Sequence, residues 1–194
     1  MFQSDKTYLI NLPHRKDRLR MAQQQFLKAE IYDYTIFPAI DARRLKITGT
    51  TEANQGLIGC FMSHFFILQE AILNNYKRIA IFEDDIIFVS EFKENYRLAM
   101  TQVSDKWQLL YMGYYERTGR GKIQVSDNIT IPKNTWGTHA YMVQNEGIKI
   151  MFENLQTIRS HIDVQISEDI VQKMYTYCIS PAICHQSGIK SDIK

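Results

Sequence analysis

Residues 79–89 read IAIFEDDIIFV, so three consecutive carboxylates stand between two apolar runs. The apolar residues are largely β-branched, a composition that favours a buried strand over a helix. Ionised carboxylates at the end of a buried strand repel one another and lose hydration unless a cation or hydrogen bonds compensate them. Along an extended chain Glu83 and Asp85 face one side and Asp84 the other, so Glu83 and Asp85 could share a metal ion. A capping or turn role for the three acids is the alternative.

The acidic stretch predicts a class of ligand. Mg²⁺ and Mn²⁺ prefer oxygen ligands and usually take one or two protein carboxylates together with the phosphates of a substrate. We therefore expect a metal-bridged diphosphate, in which the ion neutralises charge on a leaving group. His185, in the C-terminal segment, is a candidate further ligand because imidazole commonly binds metals.

The N-terminal segment predicts a buried strand over residues 7–12, ended by Pro13, and a helix over residues 15–28. Its cations, Arg15 and Arg18 among them, either form a solvated helix face or hold a phosphate at the end of the first strand. Asp41 lies in a loop, where it could bond a ribose but more often closes a turn.

From residue 56 onwards, apolar residues recur at helical spacing and predict a buried helix. Residues 43–55, which precede it, are expected to form a surface loop or lid. Ser63 and His64 are predicted near the helix start, where unpaired backbone N–H groups can hold an anion. For His64, a hydrogen-bonded position in the core is the more frequent case.

Asp163 is predicted either to cap a helix or to act as a general base for an incoming hydroxyl, and the pattern alone favours the cap. Ser90 is expected to cap a helix over residues 90–100.

The length and the composition, with 45% hydrophobic and 23% charged residues, indicate one domain over residues 1–194. The net charge of +2 gives no case for binding nucleic acid. Three cysteines without a CxxC pair favour reduced thiols, hence a cytoplasmic protein. We also expect no secretory signal and no stretch long enough to span a bilayer.

Strands and helices alternate along the chain, which indicates an α/β/α sandwich around a mostly parallel sheet. Two phosphate-binding patterns, GxGxxG and GxxxxGK[ST], are missing from the sequence. Their absence counts against a Rossmann dehydrogenase and a P-loop NTPase.

Seven segments in order resemble glycosyltransferase family 25, which includes bacterial lipooligosaccharide β-galactosyltransferases and collagen hydroxylysine galactosyltransferases. They cover nearly the whole chain: YLINLPHRKDR (8–18), FPAIDAR (37–43), GLIGCFMSH (56–64), IAIFEDDIIF (79–88), WGTHAYMV (136–143), HIDVQIS (161–167) and SPAICHQSGIKSDI (180–193).

The resemblance implies a GT-A fold, a UDP-sugar donor, and Mn²⁺ or Mg²⁺ at a DxD-like motif, for which EDD stands here. Asp85 would be the first metal ligand, Glu83 or Asp84 would assist it, and His185 could supply a late ligand. The residues that the resemblance brings to the donor and its pocket are Asn11, Leu12, Arg15, Arg18, Asp41, Ser63, His64 and Asp84. Asp163 would be the base, with Glu168 and Asp169 in reserve.

The expected function is a metal-dependent, inverting transfer of galactose or glucose from a UDP-sugar to a hydroxyl of a glycan, glycolipid or protein, as in lipopolysaccharide biosynthesis. The alternatives are a sugar-nucleotide-forming nucleotidyltransferase and a catalytically silent sugar-nucleotide-binding module. We expect the protein to be cytoplasmic or peripheral at the membrane face. The sequence leaves open whether it forms a homo-oligomer.

Overall fold

The computed structural model describes residues 2–45, 51–116 and 121–188. Its strands are β1 (Lys6–Asn11), β2 (Thr35–Pro38), β3 (Arg78–Glu83), β4 (Ile86–Phe88), β5 (Leu109–Glu116), β6 (Lys122–Ser126), β7 (Ile129–Pro132), β8 (Thr135–Gln144), β9 (Thr176–Ile179) and β10 (Cys184–Gln186). Its α-helices are α1 (Lys16–Lys28), α2 (Glu52–Leu73), α3 (Phe92–Gln102), α4 (Glu146–Asn154) and α5 (Ile162–Gln165), and α5 continues into a π-helical turn, Ile166–Ile170.

Eight strands form one sheet in the order β2-β1-β3-β8-β5-β9-β7-β6, and β4 pairs with β10 in a separate two-stranded ladder. Among the described strands of the large sheet, three neighbouring pairs are parallel and four are antiparallel. The expected α/β class is confirmed, and the sheet is mixed: two of the parallel pairs lie in β2-β1-β3 and the third joins β5 to β9.

Side chains of β3 alternate between two apolar clusters, as the two-residue period of a strand requires. Ala80 and Phe82 pack in the cluster that contains residues of α1 and α3, whereas Ile79 and Ile81 pack with residues of α2 and α4. Helices therefore cover both faces of the sheet, and the molecule is a three-layer sandwich.

The acidic stretch is not extended throughout. β3 ends at Glu83, and Asp84 and Asp85 form a turn before β4 begins. The sequence predicted that Glu83 and Asp85 face the same side because side chains alternate along an extended chain. That prediction is wrong in assuming an extended chain, since a turn rotates successive side chains differently from a strand.

Helix α2 begins at Glu52, earlier than the sequence pattern indicated. The predicted loop at 43–55 is thus partly helical, and its residues 46–50 lie outside the described ranges. Ser63 and His64 lie in the middle of the helix, where backbone N–H groups already bond to carbonyl groups one turn back. The interpretation that they mark an anion-binding helix start is wrong.

The two predicted caps also differ from the structure. Helix α3 follows Glu91 rather than Ser90, and none of the described side chains caps it. Helix α5 follows His161, so Asp163 lies within its first turn.

One helix among the described residues, over 54–73, is long and apolar enough by composition to cross a membrane. This finding contradicts the expectation that no stretch approaches that length. Phe61, Ile67, Leu68 and Ala71 of this helix are buried in the core cluster against the sheet. We interpret α2 as a core helix.

Candidate active site

The carboxyl ends of β1, β2 and β3 lie at the same edge of the sheet because these strands are parallel. Helix α1, which follows β1, and helix α2, which follows β2, pack on opposite faces. A crevice opens where the chain changes face, and open α/β sheets bind ligands at such points. A pocket lies there, with about 740 Å³ of empty space including the part open to solvent.

Arg18 and Asn11 hold the acidic turn at one side of this pocket. The Arg18 Nη2 atom lies 2.5 Å from Asp84 Oδ1 and 2.9 Å from Asp85 Oδ2, and all three side chains are buried. Asn11, the last residue of β1, donates from Nδ2 to Asp84 Oδ2 at 2.6 Å. Three of the sequence-predicted donor-site residues, together with Asp85, therefore form one buried network.

Asp85 keeps unused capacity to bind a cation. Its Oδ1 atom is buried and has no hydrogen-bond partner among the described residues. Burial and the neighbouring charge of Glu83 raise the pKa of Asp85 to about 6, and burial also raises the pKa of Asp84, against the opposing effect of Arg18. A buried carboxylate oxygen without a partner in a pocket wall fits a hard divalent ion, because such an ion supplies the missing compensation.

Glu83 points to a different set of partners. Its Oε1 atom accepts a hydrogen bond from Thr138 Oγ1 at 2.8 Å and lies 3.3 Å from His64 Nε2. The other ring nitrogen of His64 lies 3.0 Å from the Tyr141 hydroxyl. Burial alone would raise the pKa of Glu83, but the contacts with His64, His139 and Thr138 hold it below its usual value.

The loop after β2 forms a further wall, and Gly59 and Ser63 of α2 fix it there. Ser63 accepts a hydrogen bond from the Ile40 backbone N–H at 2.8 Å and donates to the Gly59 carbonyl at 2.7 Å. A Cβ atom on Gly59 would lie 2.2 Å from the Ile40 oxygen, so only glycine allows this approach. Ser63 therefore shapes the pocket through the loop that carries Asp41.

Asp41 lies on that loop among cations. Its carboxylate accepts from Arg43 Nε at 2.9 Å and lies 3.3 Å from Arg44 Nε. Burial would raise the pKa of Asp41, but the bond to Arg43 and the two positive charges hold it below its usual value. Leu12 also lines the pocket. Arg15 makes two hydrogen bonds to Asp17 at the start of α1.

A family pattern described as "Glycosyltransferase family 25 (LPS biosynthesis protein)" matches residues 4–166. The chain belongs to glycosyltransferase family 25. This match confirms the family that the sequence resembled. At the level of the family, it also confirms the expected enzyme class, a glycosyltransferase.

Several named proteins are similar in sequence to this family 25 chain. It is 26% identical to "Procollagen galactosyltransferase 1-A" of Xenopus laevis, over 75% of this chain and 27% of the relative. It is 25% identical to "Procollagen galactosyltransferase 2" of Homo sapiens, over 74% and 26%. A Bos taurus relative, 28% identical over 56% of this chain and 22% of its own length, is called "Probable inactive glycosyltransferase 25 family member 3". The chain spans about a quarter of the length of these relatives.

Solved structures with little sequence similarity share the fold. A glycosyltransferase involved in glycosylation of the major capsid of PBCV-1 has a TM-score of 0.57 at 10% identity, covering 96% of this chain and 94% of that one. UDP-glucose pyrophosphorylase has a TM-score of 0.51 at 12% identity, covering 90% and 89%. The GT-A-like fold is therefore confirmed, and it is a fold that transferases and nucleotidyltransferases share.

Asp163, the predicted base, is not among the residues that line the pocket; it lies in the first turn of α5, and its charge acts on the Cys60 thiol of the pocket wall. Its Oδ2 atom accepts from the Gly137 backbone N–H at 3.0 Å, and its Oδ1 atom accepts from the Val164 N–H at 2.8 Å. Of the reserve acids, Glu168 is exposed and Asp169 pairs with Arg159. The described geometry thus fixes only Asp163 against the backbone of β8.

His185 lies on β10 and is exposed, whereas its neighbour Gln186 lines the pocket. Gln186 donates from Nε2 to Asp85 Oδ2 at 3.3 Å, and the Ser187 N–H donates to the Asp85 carbonyl at 2.6 Å. Strand β10 therefore fixes the acidic turn through residues next to the predicted one.

Three polar residues of β8 have no counterpart among the predicted site residues, namely Thr138, His139 and Tyr141. His139 is buried, and burial lowers its pKa. Two of them contact the Glu83–His64 pair, as described above. Strand alternation would not have found this pair, because Thr138 and Tyr141 are three residues apart and a regular strand turns such side chains to opposite faces.

Proposed function

We propose that this chain is a metal-dependent, inverting glycosyltransferase that transfers a hexose, galactose or glucose, from a UDP-sugar to a hydroxyl acceptor. One observation carries the proposal: the pocket at the carboxyl ends of β1 and β3 has the acidic turn in its wall, with one oxygen of Asp85 buried and unbonded among the described residues. A diphosphate in this pocket would lie beside both carboxylates and cations.

Asp85 would hold Mn²⁺ or Mg²⁺. The bound ion would supply charge neutralisation for the diphosphate that leaves. Arg18 keeps the two aspartates of the turn in place, and Asn11 orients Asp84. The loop fixed by Ser63 would present Asp41 to the nucleoside.

Asp163 would take the proton from the acceptor hydroxyl as that oxygen attacks the anomeric carbon. Two backbone N–H groups hold its carboxylate, so its position is defined before the acceptor arrives. Direct displacement with one base on the acceptor side inverts the anomeric configuration, because attack and departure occur on opposite faces.

The acceptor is proposed only as a class. Several relatives are named procollagen galactosyltransferases and the family description names lipopolysaccharide biosynthesis, so a protein, glycan or glycolipid hydroxyl is proposed. Galactose is the first sugar to test because of those names. The cytoplasmic location stays a prediction.

A silent sugar-nucleotide-binding module is the second candidate. Arg18 already pairs with both aspartates of the turn, so an internal cation supplies part of the compensation that a metal would provide. One relative is named as probably inactive. The two functions share the pocket and differ in whether the donor is consumed.

Thermal unfolding with UDP-galactose, UDP-glucose, UDP-N-acetylglucosamine or UDP, each with Mn²⁺ and then with EDTA, tests donor binding. A ligand at 100 times its Kd stabilises the native state by about 2.7 kcal/mol, and each kcal/mol raises Tm by about 2–4 °C in a protein of this size. We expect a rise with a UDP-sugar that EDTA and Asp85→Asn both abolish. A rise that survives both changes would contradict the role of the metal at Asp85.

UDP release in the presence of candidate acceptors then separates the two functions. We expect Asp163→Asn to bind the donor as the native chain does and to lose transfer. Donor binding without transfer or hydrolysis in the native chain would favour the silent module. Pyrophosphate release in a separate reaction that supplies UTP and a sugar 1-phosphate would point to a nucleotidyltransferase.

A further inference from the structure

Three side chains of different chemistry meet in the pocket wall beside the acidic turn. Cys60 and His64 are one helical turn apart on α2, and Glu83 ends the neighbouring strand β3. One potential ligand atom of each, a sulfur, a ring nitrogen and a carboxylate oxygen, lies within 4.8 Å of the other two. All three residues line the same pocket.

We propose that Cys60, His64 and Glu83 form a binding site for a thiophilic divalent cation of the Zn²⁺ class. The donor set decides the class of ion, because thiolate and imidazole suit Zn²⁺, whereas Mg²⁺ and Mn²⁺ prefer oxygen. This site is therefore chemically distinct from the one at Asp85, and it does not depend on the proposed transfer reaction.

The spacing of the nitrogen and oxygen ligand atoms fits a tetrahedral ion, and the sulfur lies within 4.8 Å of both. With Zn–N and Zn–O distances near 2.0 Å, the nitrogen and oxygen of a tetrahedral site lie about 3.3 Å apart. His64 Nε2 and Glu83 Oε1 are 3.3 Å apart, which is long for a hydrogen bond between an imidazole and a carboxylate.

Outer partners already orient two of the three ligands. Metal-bound histidines almost always bond a second group through the other ring nitrogen, and ligating carboxylates are themselves hydrogen-bonded. Here Tyr141 contacts Nδ1 of His64 at 3.0 Å, and Thr138 donates to Glu83 at 2.8 Å. When the ion binds at Nε2, the proton moves to Nδ1, which then donates to the tyrosine oxygen.

The surroundings favour a positive charge and leave one position open. Burial, the largest effect, disfavours a bare thiolate at Cys60, and Glu83, Asp163 and Asp85 all place negative charge near its sulfur, so a bound cation would compensate both. Three protein ligands with a fourth position facing a pocket is the arrangement of zinc sites that bind water or a small ligand. Binding releases the thiol proton to solvent, as deprotonation of a cysteine ligand requires.

Co²⁺ and Zn²⁺ titrations of the reduced protein test this site. We expect Co²⁺ to give a thiolate-to-metal charge-transfer band and the visible bands of tetrahedral cobalt, both removed by excess Zn²⁺. Cys60→Ala should abolish the charge-transfer band and weaken Zn²⁺ binding at least tenfold, whereas Cys178→Ala, a buried cysteine outside the pocket, should change neither.

Two further variants keep the proposal open to refutation if Cys60→Ala folds poorly. Tyr141→Phe should reduce Zn²⁺ affinity about 10–100-fold while the charge-transfer band remains, because it removes only an outer partner. Asp85→Asn should leave the cobalt spectrum unchanged and remove Mn²⁺-dependent donor binding. A charge-transfer band that persists in Cys60→Ala, or native Zn²⁺ affinity in both Cys60→Ala and Tyr141→Phe, would overturn the proposal.

Discussion

Arg18 is the residue on which the acidic turn depends. Its guanidinium lies within 2.9 Å of a carboxylate oxygen of both Asp84 and Asp85, and it is 7% exposed. Removing one partner of a buried ion pair leaves uncompensated charge, which costs about 3–5 kcal/mol. We expect Arg18→Gln to lower the free energy of unfolding by that amount in urea titrations, and Mn²⁺ to restore part of it.

Arg97→Gln is the matched control for this prediction. Arg97 pairs with Glu94 on the exposed surface of α3, where solvent screens the charges and an ion pair contributes little. We expect no resolvable change in stability. Equal losses from Arg18→Gln and Arg97→Gln would show that the buried network does not stabilise the turn.

Strand β10 is the element that completes the pocket, and Gly113 of β5 sets how closely it packs. A Cβ atom at Gly113 would lie 2.4 Å from His139 Nε2 and 2.8 Å from the Cys184 oxygen of β10. We expect Gly113→Ala to cost about 1–3 kcal/mol through overpacking. Because β10 also holds the acidic turn, the same change should weaken binding of the UDP-sugar.

Gly147→Ala separates these two effects. Its Cβ atom would lie 2.6 Å from the Gln108 oxygen, at the opposite edge of the sheet from Glu83, since Arg78 at the start of β3 pairs with Gln144. We expect a similar loss of stability, measured by urea unfolding, with unchanged donor affinity by calorimetric titration. Equal losses of affinity in both variants would argue against a specific role for β10.

At the scale of the whole molecule, the ladder between β3 and β8 joins the parallel strands β2-β1-β3 to the mixed part of the sheet, β8-β5-β9-β7-β6. Both apolar clusters draw on strands from each part, for example Leu9 with Leu110 and Tyr8 with Leu109. We therefore propose that the described residues unfold as one domain. Calorimetry should show one transition with equal van't Hoff and calorimetric enthalpies, and two resolved transitions would contradict it.

The sequence predicted best what depends on local pattern. The period of apolar residues placed α1 and the core of α2, and the β-branched run placed β3, because burial of one face imposes a period that can be counted along the chain. It was least accurate at ends and turns, such as the starts of α2 and α3. There a few hydrogen bonds decide where an element begins, and several residues can provide them.

By itself, the sequence determined the α/β class and the family, and it indicated some of the residues that line the pocket, among them Arg18, Asp41 and Asp85, since these follow from periodicity and from the order of recognisable segments. Only the tertiary structure decided which side chains meet. Asn11 donates a hydrogen bond to Asp84, 73 residues further along the chain. Arg18 pairs with both Asp84 and Asp85, and Glu83 contacts His64 rather than the two adjacent aspartates. Such pairings depend on strand order and on the conformation of one turn, which bring distant residues together and separate adjacent ones.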